Sequence, residues 1–333
     1  MNKFKNLHFL SLSLILFQSV LSTELCHPDD KKTLFQIKKS FNNAYEFASW
    51  TPDTDCCTDW YLVKCDQTTN RVTSLYVIND DEVSGPIPEI VGNLYYLESL
   101  SFRNIPKLTG SLPKSIVNLK YLNSIWITKT NLSGPIPAFL GQIPKLNYIN
   151  LQYNNLSGPI PTSLSNLREL DYLALDGNHL TGPIPASFGL FSKNPDMYLK
   201  LSRNKLSGPI PKTLGNIHLS ELDLSRNQIS GDASIFFGNT KKVQRVYLSR
   251  NRFSFDLTKV EFSKNLNIID LSHNMIYGSL PPTLAKIPDL QQLDVSYNKL
   301  CGKIPTGGEL KKFDQSAYVH NKCLCGTPLP KCK

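Results

Sequence analysis

Five aspartates sit where a short strand would turn them toward water: Asp171, Asp176, Asp223, Asp270 and Asp294. Two carboxylates about 5 Å apart can act as acid and nucleophile on a glycosidic bond, and at roughly 6.5–9.5 Å as acid and base. Acids on a stacked sheet are commoner as solvated strand residues, and no other residue completes a catalytic set. The histidines beyond the leader, His27, His179, His218, His273 and His320, are scattered. There is no HExxH, no GxSxG and no phosphate-cradling glycine loop. The chain therefore reads as a non-enzyme with no cofactor and no metal. Eight cysteines are the other reactive set: Cys26, Cys56, Cys57 and Cys65 near the start, Cys301, Cys323, Cys325 and Cys332 near the end. Such groups can hold zinc or close disulfides.

The leader decides between those two chemistries. Lys3 and Lys5 give a positive start, Leu7 to Leu21 form a short apolar run, and small residues follow at Ser22 and Thr23. Residues 1–22 read as a signal peptide, so the mature chain is expected outside the cell, where disulfides persist. No later run approaches the ~18 apolar residues of a membrane span. Removing Lys3 and Lys5 lowers the formal charge from +9 to +7. Outside the cell that charge suits an acidic polysaccharide or an acidic protein better than nucleic acid.

What positions these residues is a repeat. Apolar residues spaced by two recur, with second members at Val77, Phe102, Ile127, Leu151, Leu175, Leu201, Leu224, Leu248, Leu271 and Val295. The ten copies are 23 to 26 residues apart. A period this regular predicts a solenoid. The unit is LxxLxLxxNxLSGxIP, whole in LNYINLQYNNLSGPIP (Leu146 to Pro161). The LxL pair marks a strand with its leucines inward. The Asn three residues on (Asn154, Asn178, Asn204, Asn227, Asn251, Asn274, Asn298) can satisfy backbone groups where the chain turns. Ile-Pro keeps the next segment extended, and a stretch such as TSLSNLREL crosses the convex side with Leu164, Leu167 and Leu170 inward. No turn buries its own leucines, so stability is shared between neighbours.

The fold class expected is an α/β solenoid: a right-handed superhelix of about ten repeats, with a concave parallel β-sheet and caps at both ends. The boundaries expected are 23–71 for an N-terminal cysteine cap, 72–305 for the repeats and 306–333 for a C-terminal cysteine cap. Cys56 and Cys57 are adjacent and would strain if joined, so they take different partners. The pairs expected are Cys26–Cys56, Cys57–Cys65, Cys301–Cys323 and Cys325–Cys332. HPDDKKTLFQIKKSF reads as a helix with Leu34, Ile37 and Phe41 on one face.

The positions that folding leaves free are those between the paired leucines. They supply Trp126, Tyr148, Asn150, Tyr172, Asp176, Tyr198, Lys200, Asp223, Gln244, Arg245 and Tyr247. Aromatics and Arg are what protein interfaces concentrate. Just past the strands one position reads Lys129, Tyr153, Gly177, Arg203, Arg226, Arg250, His273 and Tyr297. Arg203, Arg226 and Arg250 would form a basic ladder on one rim. Asn131 and Asn155 head the N-x-S sequons and are candidate glycosylation sites.

The repeat unit resembles the plant-specific class of leucine-rich repeat, which implies a second short sheet built from LSGPIP. DDKKTLFQIKKSF, ASWTPDTDCC and WYLVKCD resemble the start of the polygalacturonase-inhibiting proteins of plants; DLSRNQISGDAS, FDLTKVEFSKNL and NKCLCGTPLPKC resemble their later repeats and tail. Leu62 stands where some members carry an extra Cys. The resemblance implies a cell-wall protein that lays its concave face over a fungal endo-polygalacturonase and blocks its substrate. It gives Gln244 a place in that recognition. A monomer is expected, with homogalacturonan (pectin) as a further partner through the basic rim. Other readings are a pectin-binding or non-inhibitory repeat protein, and an ice-binding protein. Ice binding would favour a flat, uniform row of Thr or Asn, which the irregular, charged outward positions do not provide.

Overall fold

The computed structural model describes residues 25–191 and 197–333, so the signal-peptide expectation lies outside the described residues. Ten parallel strands, from Val72–Ile78 to Gln292–Asp294, pair each with the next in chain order. An eleventh, Val63–Cys65, joins the first of them antiparallel. Each strand sends its paired apolar side chains inward: Ile149 and Leu151, or Leu173 and Leu175, are buried. The outward side chains are held in register, so Tyr148, Tyr172 and Tyr198 face one another across adjacent strands.

Beyond each strand the chain enters a second, narrower layer of parallel sheet. Six strands, from Ser133–Pro135 to Arg252–Phe253, pair there, with smaller two- and three-stranded pieces at either end. The convex side is made of 3₁₀ turns rather than α-helices. Seven of them begin immediately after a proline, among them Pro137, Pro161 and Pro211, whose extended backbone delays helix formation. Leu164, Leu167 and Leu170 are buried beneath one such turn.

The asparagines are the mortar. Asn204 donates from Nδ2 to the carbonyls of Leu175, Leu201 and Ser202, and its Oδ1 accepts from Leu180 N–H. The same pattern recurs at Asn178, Asn227, Asn251, Asn274 and Asn298. Each asparagine thus bridges its own turn to the preceding one. Asn321, which the repeat count left out, repeats it on Val295, Tyr318 and Leu300, so the C-terminal cap opens with an eleventh, partial turn.

The N-terminal cap is tied on by one buried charge. The helix Pro28–Ser40 presents Leu34 and Ile37 to the core, with Phe41 just beyond it. Its Asp30, fully buried, accepts from Arg71 and from Val72 N–H of the first repeat strand. Phe41, Phe47, Trp50 and Trp60 stack behind it. The disulfides Cys26–Cys56 and Cys57–Cys65 close this cap, and Cys301–Cys323 and Cys325–Cys332 the other. The sulfurs that zinc would need are therefore committed to covalent bonds. Among the described residues no helix is long and apolar enough to cross a membrane.

Candidate protein-binding face

Outward positions on the ten strands form columns running along the solenoid. One column reads Ser124, Tyr148, Tyr172, Tyr198, Glu221, Arg245, and the next Trp126, Asn150, Ala174, Lys200, Asp223, Tyr247. The rings of Trp126, Tyr148, Tyr172 and Tyr198 follow one another at 5.7, 4.4 and 5.8 Å between centroids. Arg103 lies over the free face of Trp126, 4.5 Å from its centre. All four rings are half-buried, because each covers its neighbour while one edge stays in water. Burial, and then the adjoining Tyr148 and Asp176, push the Tyr172 hydroxyl above the usual phenol range.

Beyond Tyr198 the column changes to charge. Glu221 is buried and accepts from Lys200 and Arg245, both at 2.7 Å. This clamp separates the aromatic rank from Tyr247, which is half-buried two strands further on and does not join it. Gln244 is exposed at the start of its strand.

Two residues expected to meet a partner are too deep for it. Asn150 and Asp176 are each only 3% exposed. Asn150 accepts from Gln152 N–H, and Asp176 accepts from the backbone and hydroxyl of Ser202 and from Gln152. They sit near the strand end, where the bending backbone needs side-chain acceptors. Ala174, Thr128, Ser202, Ser249 and Ser272 on the same face are likewise buried.

Three more of the strand acids are similarly employed. Asp223, Asp270 and Asp294 each accept from the backbone N–H two residues on, at Ser225, Ser272 and Ser296. Burial raises the Asp223 carboxyl above its ordinary range, Ser225 opposes this, and Asp176 adds to it. A carboxylate pair free to work on a glycoside is not what these contacts build.

The rim position just past the strands has left-handed backbone in every turn, from Asn79 and Asn104 through Lys129, Tyr153, Arg203, Arg226, Arg250, His273 and Tyr297 to His320. Gly177 fills it once, and the Tyr153 ring leans into the space that a Cβ there would take. Arg203, Arg226 and Arg250 are exposed and form no ion pair among the described residues. The column ends in a stack: His273 on Tyr297 and Tyr297 on His320, each 4.1 Å between centroids.

Of the candidate glycosylation residues, Asn155 opens a strand of the second sheet and Asn131 lies two residues before the strand Ser133–Pro135, away from the aromatic rank. Both are exposed, and Asn155 Nδ2 donates to Asn131 Oδ1 at 2.9 Å.

Known proteins place this architecture. A leucine-rich repeat N-terminal domain matches residues 27–66, and leucine-rich repeat families match 120–180, 197–217, 215–233, 265–287 and 289–308. The chain is 54% identical to polygalacturonase inhibitor 2 of Arabidopsis thaliana over 98% of both chains. It is 53% identical to the polygalacturonase inhibitor of Pyrus communis over the same share. A crystal structure of a plant ice-binding protein superimposes with a TM-score of 0.90 at 46% identity, covering 93% of this chain and 99% of that one.

Proposed function

Because the chain belongs to the polygalacturonase-inhibitor family of leucine-rich repeat proteins, we propose that it binds fungal endo-polygalacturonases on its concave face and obstructs their substrate cleft. It is not an enzyme; it acts by occupying space, outside the cell in the plant wall, as a monomer. The observation that carries this reading is the rank Trp126–Tyr148–Tyr172–Tyr198, four contiguous rings with exposed edges on a rigid sheet. Such rings lose little freedom when covered, which is what anchors an interface. Lys200, Arg245, Gln244 and Tyr247 extend the face toward the C-terminal end, with Asp223 half-buried among them. These columns mix rings, acids and cations, unlike the uniform row that ice would need. A reducing-sugar assay against a panel of fungal polygalacturonases tests the proposal. Inhibition of at least one supports it; no inhibition and no binding to any of them overturns it.

A second reading has its own observation. Arg203, Arg226 and Arg250 stand in register on the rim with no partner acid among the described residues, a spacing of roughly 5 Å per turn that suits a linear polycarboxylate. Homogalacturonan has that chemistry, and binding it would hold the inhibitor in the wall.

A further inference from the structure

The rim column does not stop at Arg250. The next three turns place His273, Tyr297 and His320 in the same left-handed position, stacked ring on ring. Two residues further along each turn, across the turn asparagine, a second row reads Lys205, Gln228, Arg252, Met275, Lys299 and Lys322, all exposed. Arg252 reaches Gln228 at 3.4 Å; Lys205, Lys299 and Lys322 form no ion pair among the described residues. The edge shared by the two sheets therefore carries fixed cations over the arginine turns, and a stretch beyond them where two of the three rim residues are histidines.

We propose that this stretch is a proton-gated extension of the cation row, so that a linear polycarboxylate is gripped over more turns, and more tightly, as pH falls. The inference rests on the polyanion reading of Arg203, Arg226 and Arg250. Imidazoles change charge between about pH 5 and 8, whereas uronate carboxylates, with pKa values near those of Asp and Glu, stay ionised across most of that range. Protonation gives two imidazolium rings on opposite faces of Tyr297, an arrangement that the π-cloud favours. A carboxylate brought within about 4–6 Å then favours the charged form further.

The surroundings of His273 set where the gate sits. Burial, then Arg250 on the preceding turn, push its pKa down; Asp294 and Asp270 work the other way and Arg226 adds to the fall. Its Nδ1 is buried without a hydrogen-bond partner among the described residues, so a proton there gains no acceptor from the fold. Its charge therefore arrives at lower pH than that of an ordinary imidazole, unless a polyanion supplies the missing opposite charge. His320 is exposed, with Tyr297 on one face and Lys322 two residues along.

The test measures binding of the full mature chain to immobilised polygalacturonate at fixed ionic strength, at pH 7.5 and pH 5.0, with a neutral galactan as the blank. The substitutions are His273→Asn and His320→Asn together. Asn already occupies this left-handed position at Asn79 and Asn104, so the backbone accepts it. The expected result is binding at both pH values, about tenfold tighter at pH 5.0, with that gain lost in the double variant and the pH 7.5 affinity unchanged. Binding that is pH-independent, or an acid gain that survives in the double variant, overturns the gate while leaving the arginine row in place. No binding at either pH removes the polyanion reading itself, and the gate with it.

Discussion

The ring of Tyr172 lies flat on that of Tyr148, centroids 4.4 Å apart and planes within 9°. Neither ring can be removed without loosening the other, so the two should act together at an interface. Tyr172→Ala is expected to weaken inhibition of a susceptible polygalacturonase roughly 10- to 100-fold. Tyr148→Ala should do nearly as much, and the double variant should lose clearly less than the sum. Tyr45→Ala, on the N-terminal cap and 80% exposed, should leave the inhibition constant unchanged. Equal effects at Tyr45 and Tyr172 would remove the aromatic rank from the contact surface.

Glu221 holds Lys200 and Arg245 across two strand boundaries. Glu221→Gln keeps the shape and removes the charge, leaving two partly exposed cations facing one another. A stability loss of about 1–2 kcal/mol is expected in urea titrations, smaller at high salt because the released repulsion is screened. Inhibition should become more salt-dependent than in the parent. A variant with unchanged salt dependence would show that the two cations do not face the partner.

The asparagine mortar makes a positional prediction. Asn204→Ala strands several buried backbone groups in the middle of the array and should cost about 2–4 kcal/mol. Asn321→Ala removes the same contacts at the open end, where water can replace them, and should cost less than half as much. Denaturant midpoints compare them directly, and equal losses would contradict the shared-stability picture of the array.

Two carboxylates should respond to pH in opposite senses. Asp55 is opposed by burial, but four backbone N–H donors, at Cys26, Cys57, Leu25 and Thr58, outweigh it and hold its pKa below 3.8. Its stabilisation is present above that value and is lost as pH falls through the lower folded one. Asp223 is raised by burial, so its contribution is present below 3.8 and lost as pH rises through the folded value. Asp55→Asn should therefore destabilise at pH 7, by an amount that shrinks on acidification. Asp223→Asn should stabilise at pH 7 and make little difference near about pH 3. Urea titrations at both pH values check the signs, and the same sign for both variants would refute the assignment.

The scaffold was legible because its constraints are periodic. Leucine pairs, the turn asparagine and Ile-Pro recur at nearly regular spacing, so any one turn can be checked against its neighbours. Asn321 escaped because no LxL pair precedes it: its turn is Ala317, Tyr318 and Val319, and cysteines follow. The site was legible only in part. A period of two places Asn150 and Asp176 outward, and it does so correctly for Tyr148 and Tyr172. It cannot show that Asp176, just past its strand, is taken as an acceptor by Ser202 of the next turn. The left-handed rim was hidden for a similar reason. Lys, Tyr and Arg have no preference for that conformation, and only Asn79, Asn104, Gly177 and the two histidines, His273 and His320, hint at it. Glu221 is a strand acid whose two partners lie on other turns and share no local signature with it.

Each turn asparagine ties its own turn only to the one before it. The joints are therefore interchangeable, and the chain can be lengthened or shortened by whole turns with every connection remade. Such an edit would slide the tyrosine rank along the molecule, relative to the N-terminal helix, by about 4.8 Å per turn. The distance between a gripping patch and its anchoring end is thus adjustable in fixed increments, like notches on a belt, without redesigning either.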